Sequence, residues 1–214
     1  MSIDGDVHRS HLPDPGRLKE LLVSGADLLV RQAPKDSNRK TRYTTVMVNH
    51  DGQLISLVSS LPNQFVGLAL KNNELPMLNG YTLIRPEIPV GSHRFDFLLK
   101  SPIGSDFYLE VKSVTFVKNG VAQFPDAVTE RGKNHAKALK KLVQNGYEAG
   151  ILFVCQRPDA SSFRPMWERD PKLAEAVLDA RNAGVKIWCI TLNVSKTEIT
   201  FNQEIPVNLE ITEN

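Results

Sequence analysis

The sequence predicts a mixed α/β (α+β) protein in which a small antiparallel β unit precedes strands interleaved with helices. Short runs rich in β-branched residues fill residues 26–60, as is typical of hairpin strands. Pro76, Asn79 and Gly80 then interrupt the pattern and indicate a boundary near residue 80. Beyond that boundary, apolar strands alternate with helical periods, which favours an α/β or α+β domain. With 214 residues, 41% of them hydrophobic, the chain can form one large domain or two small ones.

The N-terminal elements are predicted from turn residues and apolar runs. Pro15 can open and Gly25 can close a short helix over residues 14–25. The runs ADLLVRQ, TRYTTVMVNH and QLISLVSS predict three strands, with Asp51 and Gly52 as the turn between the last two. These strands make up the small antiparallel unit.

The remaining elements are predicted from caps and periodicity. Asn63 can cap a helix through NQFVGLALKNN, and its predicted inward residues are Phe65, Leu68 and Ala69. A second helix is predicted over residues 126–146, and its predicted inward residues are Val128, Leu139, Leu142 and Val143. Asp170 can cap a third, which has Pro171 in its first turn. With the apolar strands between them, the order after residue 80 is β-β-β-α-β-α-β.

Overall charge and cysteine content restrict the protein class only weakly. The net charge of +2 is too small to indicate a nucleic-acid partner by itself. Cys155 and Cys189 lie in apolar runs and are predicted to be buried thiols, not a disulfide framework or a zinc site. The first ten residues lack the apolar core of a signal peptide, and no segment approaches the roughly 20 apolar residues of a membrane span. We therefore expect a cytoplasmic protein with no membrane partner.

Three charged residues interrupt two otherwise apolar strands. Alternation in HRFDFLLK places Asp96 on the face opposite a set of apolar residues, namely Phe95, Phe97 and Leu99. In FYLEVKSV the same rule places Glu110 and Lys112 together. If the two strands pair through the SPIGSD turn, Asp96 and Glu110 converge and Lys112 lies one pleat away. Two carboxylates suit Mg²⁺, with Mn²⁺ as an alternative, and Lys112 could orient water or stabilise negative charge.

Other interpretations of these residues stay open. A Glu-x-Lys pair on a strand is also typical of a solvated ion pair. Glu87 is a candidate further carboxylate, or it lies at a strand edge or binds Arg85. At the start of the second helix, Gln123 and Glu130 are candidates to position metal-bound water, ahead of Asp126 and Thr129.

Basic residues cluster at two places. The second helix carries Arg131, Lys133, Lys137, Lys140 and Lys141, of which Lys133, Lys137 and Lys141 recur every fourth residue. Such a stripe suits a phosphate backbone, or it is an ordinary solvated helix face. The segment NRKTR supplies Arg39, Lys40 and Arg42 beside Tyr43. It could contact nucleic acid or serve as a solubilising loop. His11 and Arg17 are either site residues or local hydrogen-bonding partners, and the sequence does not distinguish these two roles.

Long motifs in this chain resemble the sugar fermentation stimulation protein A (SfsA) family. The resemblance covers residues 8–208 and is carried by HLPDPGRLKELL, NRKTRYT, LPNQFVGLAL, RFDFLL, YLEVKSVTFVKNGVAQFPDAVTERG and FVCQRPDA. It implies an OB-like β-barrel with a linker helix over residues 1–80 and a PD-(D/E)xK restriction-endonuclease-like domain over residues 81–214. Family members are expected to carry further residues before the position of Ile3, so either the start codon is misassigned or the barrel is incomplete here.

The resemblance also implies a function. DNA binding is the family's usual assignment, with a regulatory link to sugar (maltose) use. The nuclease-type acid falls on Asp96 and the Glu-x-Lys element on Glu110 and Lys112, so the motif is intact. We expect a DNA-binding protein with a nuclease-like core, and the alternative is an active Mg²⁺-dependent DNA endonuclease. A module that binds no nucleic acid has the least support, since no sugar-pocket pattern is present. Whether the chain forms a homodimer stays open.

Overall fold

The large sheet of the protein lies in its C-terminal part. In the computed structural model, which describes residues 1–14, 16 and 18–211, this sheet has six strands. Its strands are β7 (Thr82–Val90), β8 (His93–Lys100), β9 (Asp106–Val114), β12 (Glu148–Cys155), β14 (Lys186–Val194) and β15 (Ile199–Ile205). They lie in the order β15-β14-β12-β9-β8-β7, in which β12 runs parallel to β9 and β14 and the other pairs are antiparallel.

Three helices accompany this sheet. Their bounds are Leu61–Asn72 for α1, Glu130–Gln144 for α2 and Pro171–Asn182 for α3, with a 3-10 turn at Pro76–Leu78. Helices α2 and α3 connect the parallel strands and pack on one face, where their apolar residues share a core with β12. Helix α1 packs on the other face with the apolar residues of β9 and β14. The seven predicted elements are present in the predicted order, but the structure adds the edge strand β15 after them and three short strands between them.

Two smaller sheets complete the fold. A hairpin of β10 (Phe116–Lys118) and β11 (Val121–Phe124) pairs with β13 (Ser162–Pro165), and sequence patterns did not predict these short strands. The N-terminal strands are β1 (Ser2–Ile3), β2 (Asp6–Val7), β3 (Ser10–His11), β4 (Asp27–Gln32), β5 (Tyr43–His50) and β6 (Gln53–Ser56). Over the described residues they form a two-stranded ribbon and a four-stranded sheet that does not close into a barrel, as expected.

The prediction of a helix over residues 14–25 is wrong for all residues of this segment that the structure describes. Leu18 has a φ of 44°, in the left-handed region, so the backbone cannot continue as an α-helix there. Only isolated turns follow, and Leu18 and Leu21 are buried against Val48 and Ile55 of the N-terminal sheet. Tertiary burial thus overrides the local helix pattern. Pro15, the predicted first residue of this helix, lies outside the described residues.

Helix α1 begins earlier than predicted. Its N-cap is Ser60, with Pro62 in the first turn, so Asn63 is inside the helix and does not cap it. Leu68 is 61% exposed, which makes its predicted inward orientation wrong, whereas Val66 and Leu70 are buried. The predicted domain boundary near residue 80 stays a prediction.

Helices α2 and α3 have well-defined N-terminal caps. Thr129 caps α2 by accepting a 3.1 Å hydrogen bond from the Gly132 N–H, so residues 126–128 precede the helix. Val128 is 67% exposed, and its predicted inward orientation is wrong. Asp170 caps α3 as predicted, through the Leu173 N–H at 3.1 Å. Both cysteines are buried free thiols, as predicted.

Candidate metal centre

Asp96 lies where strands β8 and β9 separate. The last backbone pair between the two strands joins Phe97 and Leu109, and just beyond it the Asp96 Oδ2 accepts a 2.7 Å hydrogen bond from the Val111 N–H. On the other side, Asn63 of α1 donates from Nδ2 to Asp96 Oδ1 at 2.6 Å. Burial and the charge of Glu110 together raise the pKa of Asp96 to about 6. Asp96 is thus a fixed carboxylate close to a second one.

The separation of the strands also changes the predicted alternation along β8. Phe97 and Leu99 pack in the core beneath α1, but Phe95 packs in the core beneath α2 and contacts the His135 ring. The prediction that these three residues share one face is therefore wrong for Phe95. The side chain of Asp96, which pairs with the neighbouring backbone, marks the point where the regular ladder ends.

Glu110 is almost fully buried, with 2% of its surface exposed. Its Oε1 accepts a 2.6 Å hydrogen bond from Lys112 Nζ and also contacts Nδ1 of His135 on α2. Burial raises the pKa of Glu110, but the bonds from His135 and Lys112 more than offset it and hold the pKa below its ordinary value. The second oxygen, Oε2, is buried and has no hydrogen-bond partner among the described residues.

Asp96, Glu110 and Lys112 line a cleft of about 410 Å³, which we call the acidic cleft. Its wall carries four carboxylates, those of Asp14, Asp96, Glu110 and Asp126. Lys112 and Arg131, at the start of α2, also line it. The acidic cleft therefore combines residues of the N-terminal part with residues of the large sheet.

Asp14 and Asp126 lie close to each other in the wall of the acidic cleft. Asp14 Oδ1 accepts a 2.7 Å hydrogen bond from the Gly16 N–H, and Asp126 Oδ2 accepts one of 3.4 Å from the Leu18 N–H. Burial raises the pKa of Asp14, the Gly16 bond partly opposes this, and the charge of Asp126 raises it further. A Cβ at Gly16 would overlap the Asp126 carboxylate, which would then have to move away from this position.

The donor set fits a hard divalent cation. A buried carboxylate oxygen without a partner is costly unless a cation or a proton compensates it, and Glu110 Oε2 is such an atom beside Asp96. Over residues 1–14, 16 and 18–211, no group of three or more His, Cys, Asp or Glu residues is arranged to hold a metal. The chain would thus supply two carboxylates, and water, backbone or phosphate oxygens would complete the shell, as Mg²⁺ tolerates.

The structure brings together the three central residues predicted from the sequence, Asp96, Glu110 and Lys112. The two predicted auxiliary residues at α2 lie elsewhere. Gln123 of β11 faces a different cleft, and Glu130 is largely exposed and pairs with Lys133 at 2.6 Å. Asp126 and Thr129 line the acidic cleft instead.

Glu87 does not belong to the acidic cleft. It lies on β7, the edge strand of the large sheet, where its exposed carboxylate is 3.7 Å from Arg94. Its partner is thus Arg94 and not Arg85, and the strand-edge interpretation is the correct one.

The predicted basic residues occupy three separate positions. Arg131 lines the acidic cleft, and Lys133 is held by Glu130. Lys137 and Lys141 are exposed along α2 and border a second cleft of about 550 Å³ with His93. The loop residues Arg39, Lys40 and Arg42 are exposed, and the Arg42 guanidinium lies 5.8 Å from the centre of the Tyr43 ring. His11 is exposed on β3, and Arg17 lies outside the described residues.

Sequence reasoning missed Asn63, His135 and Asp14 as site residues. Asn63 and His135 have a detectable signal, because each is a polar residue at helical spacing from the buried apolar residues of its helix. Asp14 lies in the DPGR segment, whose residue types indicate a turn and not a ligand.

The fold and this site define a two-part α/β protein with an acidic, lysine-bearing cleft at a strand separation. Comparisons with known proteins agree with that class. The protein-family model described as "SfsA N-terminal OB domain" matches residues 2–57. A second family model, described as "Sugar fermentation stimulation protein RE domain", matches residues 60–198. The chain belongs to the sugar fermentation stimulation protein (SfsA) family.

Individual relatives match over nearly the whole chain. The sugar fermentation stimulation protein homolog of Clostridium botulinum is 39% identical over 97% of this chain and 90% of its own length. That of Moorella thermoacetica is 38% identical over 96% of this chain and 89% of its own length. The solved structure of Pyrococcus furiosus SfsA in complex with Ca²⁺ has a TM-score of 0.86 and 29% identity, and covers 96% of this chain and 88% of the other. Of the helices among the described residues, none has the length and apolar character needed to span a lipid bilayer.

Proposed function

We propose that this protein binds DNA and holds a divalent cation at Asp96 and Glu110, in a core of the PD-(D/E)xK type. The observation that carries the proposal is Glu110 Oε2, a buried oxygen without a partner beside a second carboxylate. Lys112 and His135 both engage Oε1, so Oε2 is the oxygen left for a ligand. The solved relative in complex with Ca²⁺ supports a divalent cation as that ligand.

The charges around the acidic cleft support DNA as the partner. A cation held by two carboxylates has coordination positions left for phosphate oxygens. Arg131 lies at the cleft, and Lys137 and Lys141 are exposed further along the same helix. Exposed cations near the cleft lower the free energy of a bound phosphate backbone. Arg39, Lys40 and Arg42 are proposed as a further contact from the N-terminal part.

A second candidate function is hydrolysis of the DNA backbone by the same centre. Lys112 favours it, because Glu110 fixes the lysine nitrogen at 2.6 Å, inside the cleft that would hold the phosphate. Mg²⁺ or Mn²⁺ would polarise the phosphate and help generate hydroxide, while the Lys112 ammonium orients water or stabilises developing charge. This protein would then be a metal-dependent DNA endonuclease.

One experiment separates binding from cleavage. Plasmid and short duplexes are incubated with the protein in Mg²⁺, Mn²⁺ or EDTA, with Asp96→Asn and Lys112→Met as site variants. Matched controls are Asp106→Asn and Lys100→Met, which remove an exposed ion pair of 2.8 Å at the far end of the β8–β9 hairpin. Cutting that needs metal and is lost only in the site variants establishes the endonuclease. Binding without cutting supports the docking function, and no binding of any duplex contradicts both.

Two further parts of the proposal concern the cell. We propose a cytoplasmic location, and the regulatory link to sugar use stays a prediction from the family resemblance.

A further inference from the structure

A third cleft lies beside the β10–β11 hairpin and has no role in the proposed metal chemistry. It has a volume of about 840 Å³ and is bordered by Phe116 and Lys118 of β10, Arg164 of β13 and Arg169 beyond it. We call it the hairpin cleft. Gln123, which the sequence placed at the metal, lines it as well.

The hairpin cleft is positively charged. Lys118 is exposed, and over the described part of the chain it takes part in no ion pair. Among the lining residues the only carboxylate is Glu168, which is already paired with the Arg164 guanidinium. Lys118, Arg164 and Arg169 outnumber this single carboxylate, so the lining keeps two excess positive charges, which attract an anionic ligand.

Arg164 supplies a guanidinium to the wall of this cleft. Its Nε is buried, and among the described residues it has no hydrogen-bond acceptor. The side chain as a whole is 18% exposed, so a ligand oxygen can meet the exposed part of the guanidinium. Phosphate oxygens suit a guanidinium particularly well.

An aromatic face lies next to the cations. The Arg169 guanidinium is 5.6 Å from the centre of the Phe116 ring, and that ring is only partly buried. Cations combined with an accessible aromatic ring are typical of sites that hold a nucleic-acid strand.

The hairpin cleft adjoins the acidic cleft. Arg169 Nη1 donates a 2.6 Å hydrogen bond to the backbone oxygen of Asp126, a residue of the acidic cleft wall. Thr115 and Phe116 are adjacent in the chain, and the first lines the acidic cleft while the second lines the hairpin cleft. A strand bound at Asp96 and Glu110 can thus extend over the hairpin.

We propose that the hairpin cleft binds the segment of a nucleic-acid strand that leaves the acidic cleft, through phosphate contacts to Lys118 and Arg164. This inference rests on the proposed function, because it extends the same strand beyond the metal.

The test uses fluorescence anisotropy with a duplex long enough to reach both clefts, in Ca²⁺, over a range of salt concentrations. The test protein, called the hairpin variant, carries Lys118→Glu and Arg164→Gln. The control protein carries Lys71→Glu and Lys196→Gln, at two exposed lysines at the end of α1 and in the β14–β15 turn. We expect the hairpin variant to lose about tenfold in affinity and to lower the slope of log Kd against log salt by about 2. Lys118→Glu alone, at an exposed position that cannot disturb the core, should lose about threefold.

Ca²⁺ titration by calorimetry distinguishes the two proposals. The hairpin variant should bind Ca²⁺ as tightly as the wild-type protein. If the wild-type protein binds the duplex but the hairpin variant binds it equally well, this inference is wrong and the proposed function stands. If the wild-type protein binds no duplex, the proposed function is wrong and this inference is wrong with it.

Discussion

The Oδ2 atom of Asp170 accepts a 2.9 Å hydrogen bond from the backbone N–H of Thr129. The same carboxylate caps α3 through its other oxygen, so one buried side chain joins the N-termini of α2 and α3. Thr129 in turn caps α2 and lines the acidic cleft. The cap of α3 therefore helps to fix the wall of the proposed metal centre.

Asp170→Ala should lower the free energy of unfolding by about 2–3 kcal/mol. The substitution removes the α3 cap and leaves the Thr129 N–H without its partner, and these losses add. Urea unfolding followed by circular dichroism measures the effect. The control is Asp179→Ala on the exposed face of α3, where the ion pair with Lys140 contributes less than about 1 kcal/mol. Equal effects in the two variants would contradict the linking role of Asp170.

The raised pKa of Asp96 predicts a pH-dependent stability without metal. Because the folded-state pKa is about 6 and the ordinary value is 3.8, the ionised form is disfavoured by folding. The stabilisation is complete below about pH 4, where Asp96 is protonated in both states, and is lost as the pH rises through about 6. In EDTA, wild-type protein should thus lose up to about 3 kcal/mol relative to Asp96→Asn between pH 4 and pH 8.

Thermal unfolding of both proteins across this pH range measures that difference, and titrating groups that do not interact with Asp96 cancel because both proteins contain them. A constant difference across the range would mean that Asp96 is not the responsible group. Replacing EDTA with Ca²⁺ should raise the wild-type Tm more at pH 8 than at pH 5, since the cation compensates the ionised carboxylate.

The central residues of the site were predictable because the interactions that place them are local. Alternation along β9 puts Glu110 and Lys112 on one face, and a short turn brings Asp96 alongside. The remaining partners come from distant elements, because Asn63 lies 33 residues before Asp96 and His135 lies 25 residues after Glu110. Strand periodicity carries no information about such contacts.

The fold shows the same division between local and tertiary control. The predicted strands and helices after residue 80 follow from caps and apolar runs, which act over a few residues, whereas β10, β11, β13 and β15 were not predicted. The segment around Leu18 has a helical pattern, but burial beneath the N-terminal sheet imposes a left-handed φ instead. The departure of Phe95 from alternation occurs next to the Asp96 contact with Val111, a tertiary interaction that strand periodicity does not predict.

The exposed pair Lys137 and Lys141 predicts a contribution to DNA binding. Lys137→Glu with Lys141→Glu should weaken duplex binding by about tenfold and reduce the salt slope by about 2, without loss of the folded signal in circular dichroism. Lys140→Glu is a suitable control on the same helix, because Asp179 already holds that ammonium at 3.0 Å. If the double variant keeps the wild-type affinity, α2 is not part of the DNA-binding surface.

His135 is predicted to position Glu110 for metal binding. The ring nitrogen contacts Glu110 Oε1, and this contact with that of Lys112 leaves Oε2 as the oxygen free for a ligand. In His135→Ala the carboxylate loses a donor inside the core, so it can rotate and its charge is less well compensated. We expect Ca²⁺ affinity to fall by about 10- to 100-fold, the range usual for residues that orient metal ligands. His135→Gln restores a donor of similar reach and should recover part of this loss. Both variants are first shown to be folded by circular dichroism. If they then bind Ca²⁺ with similar affinity, His135 has a purely structural role.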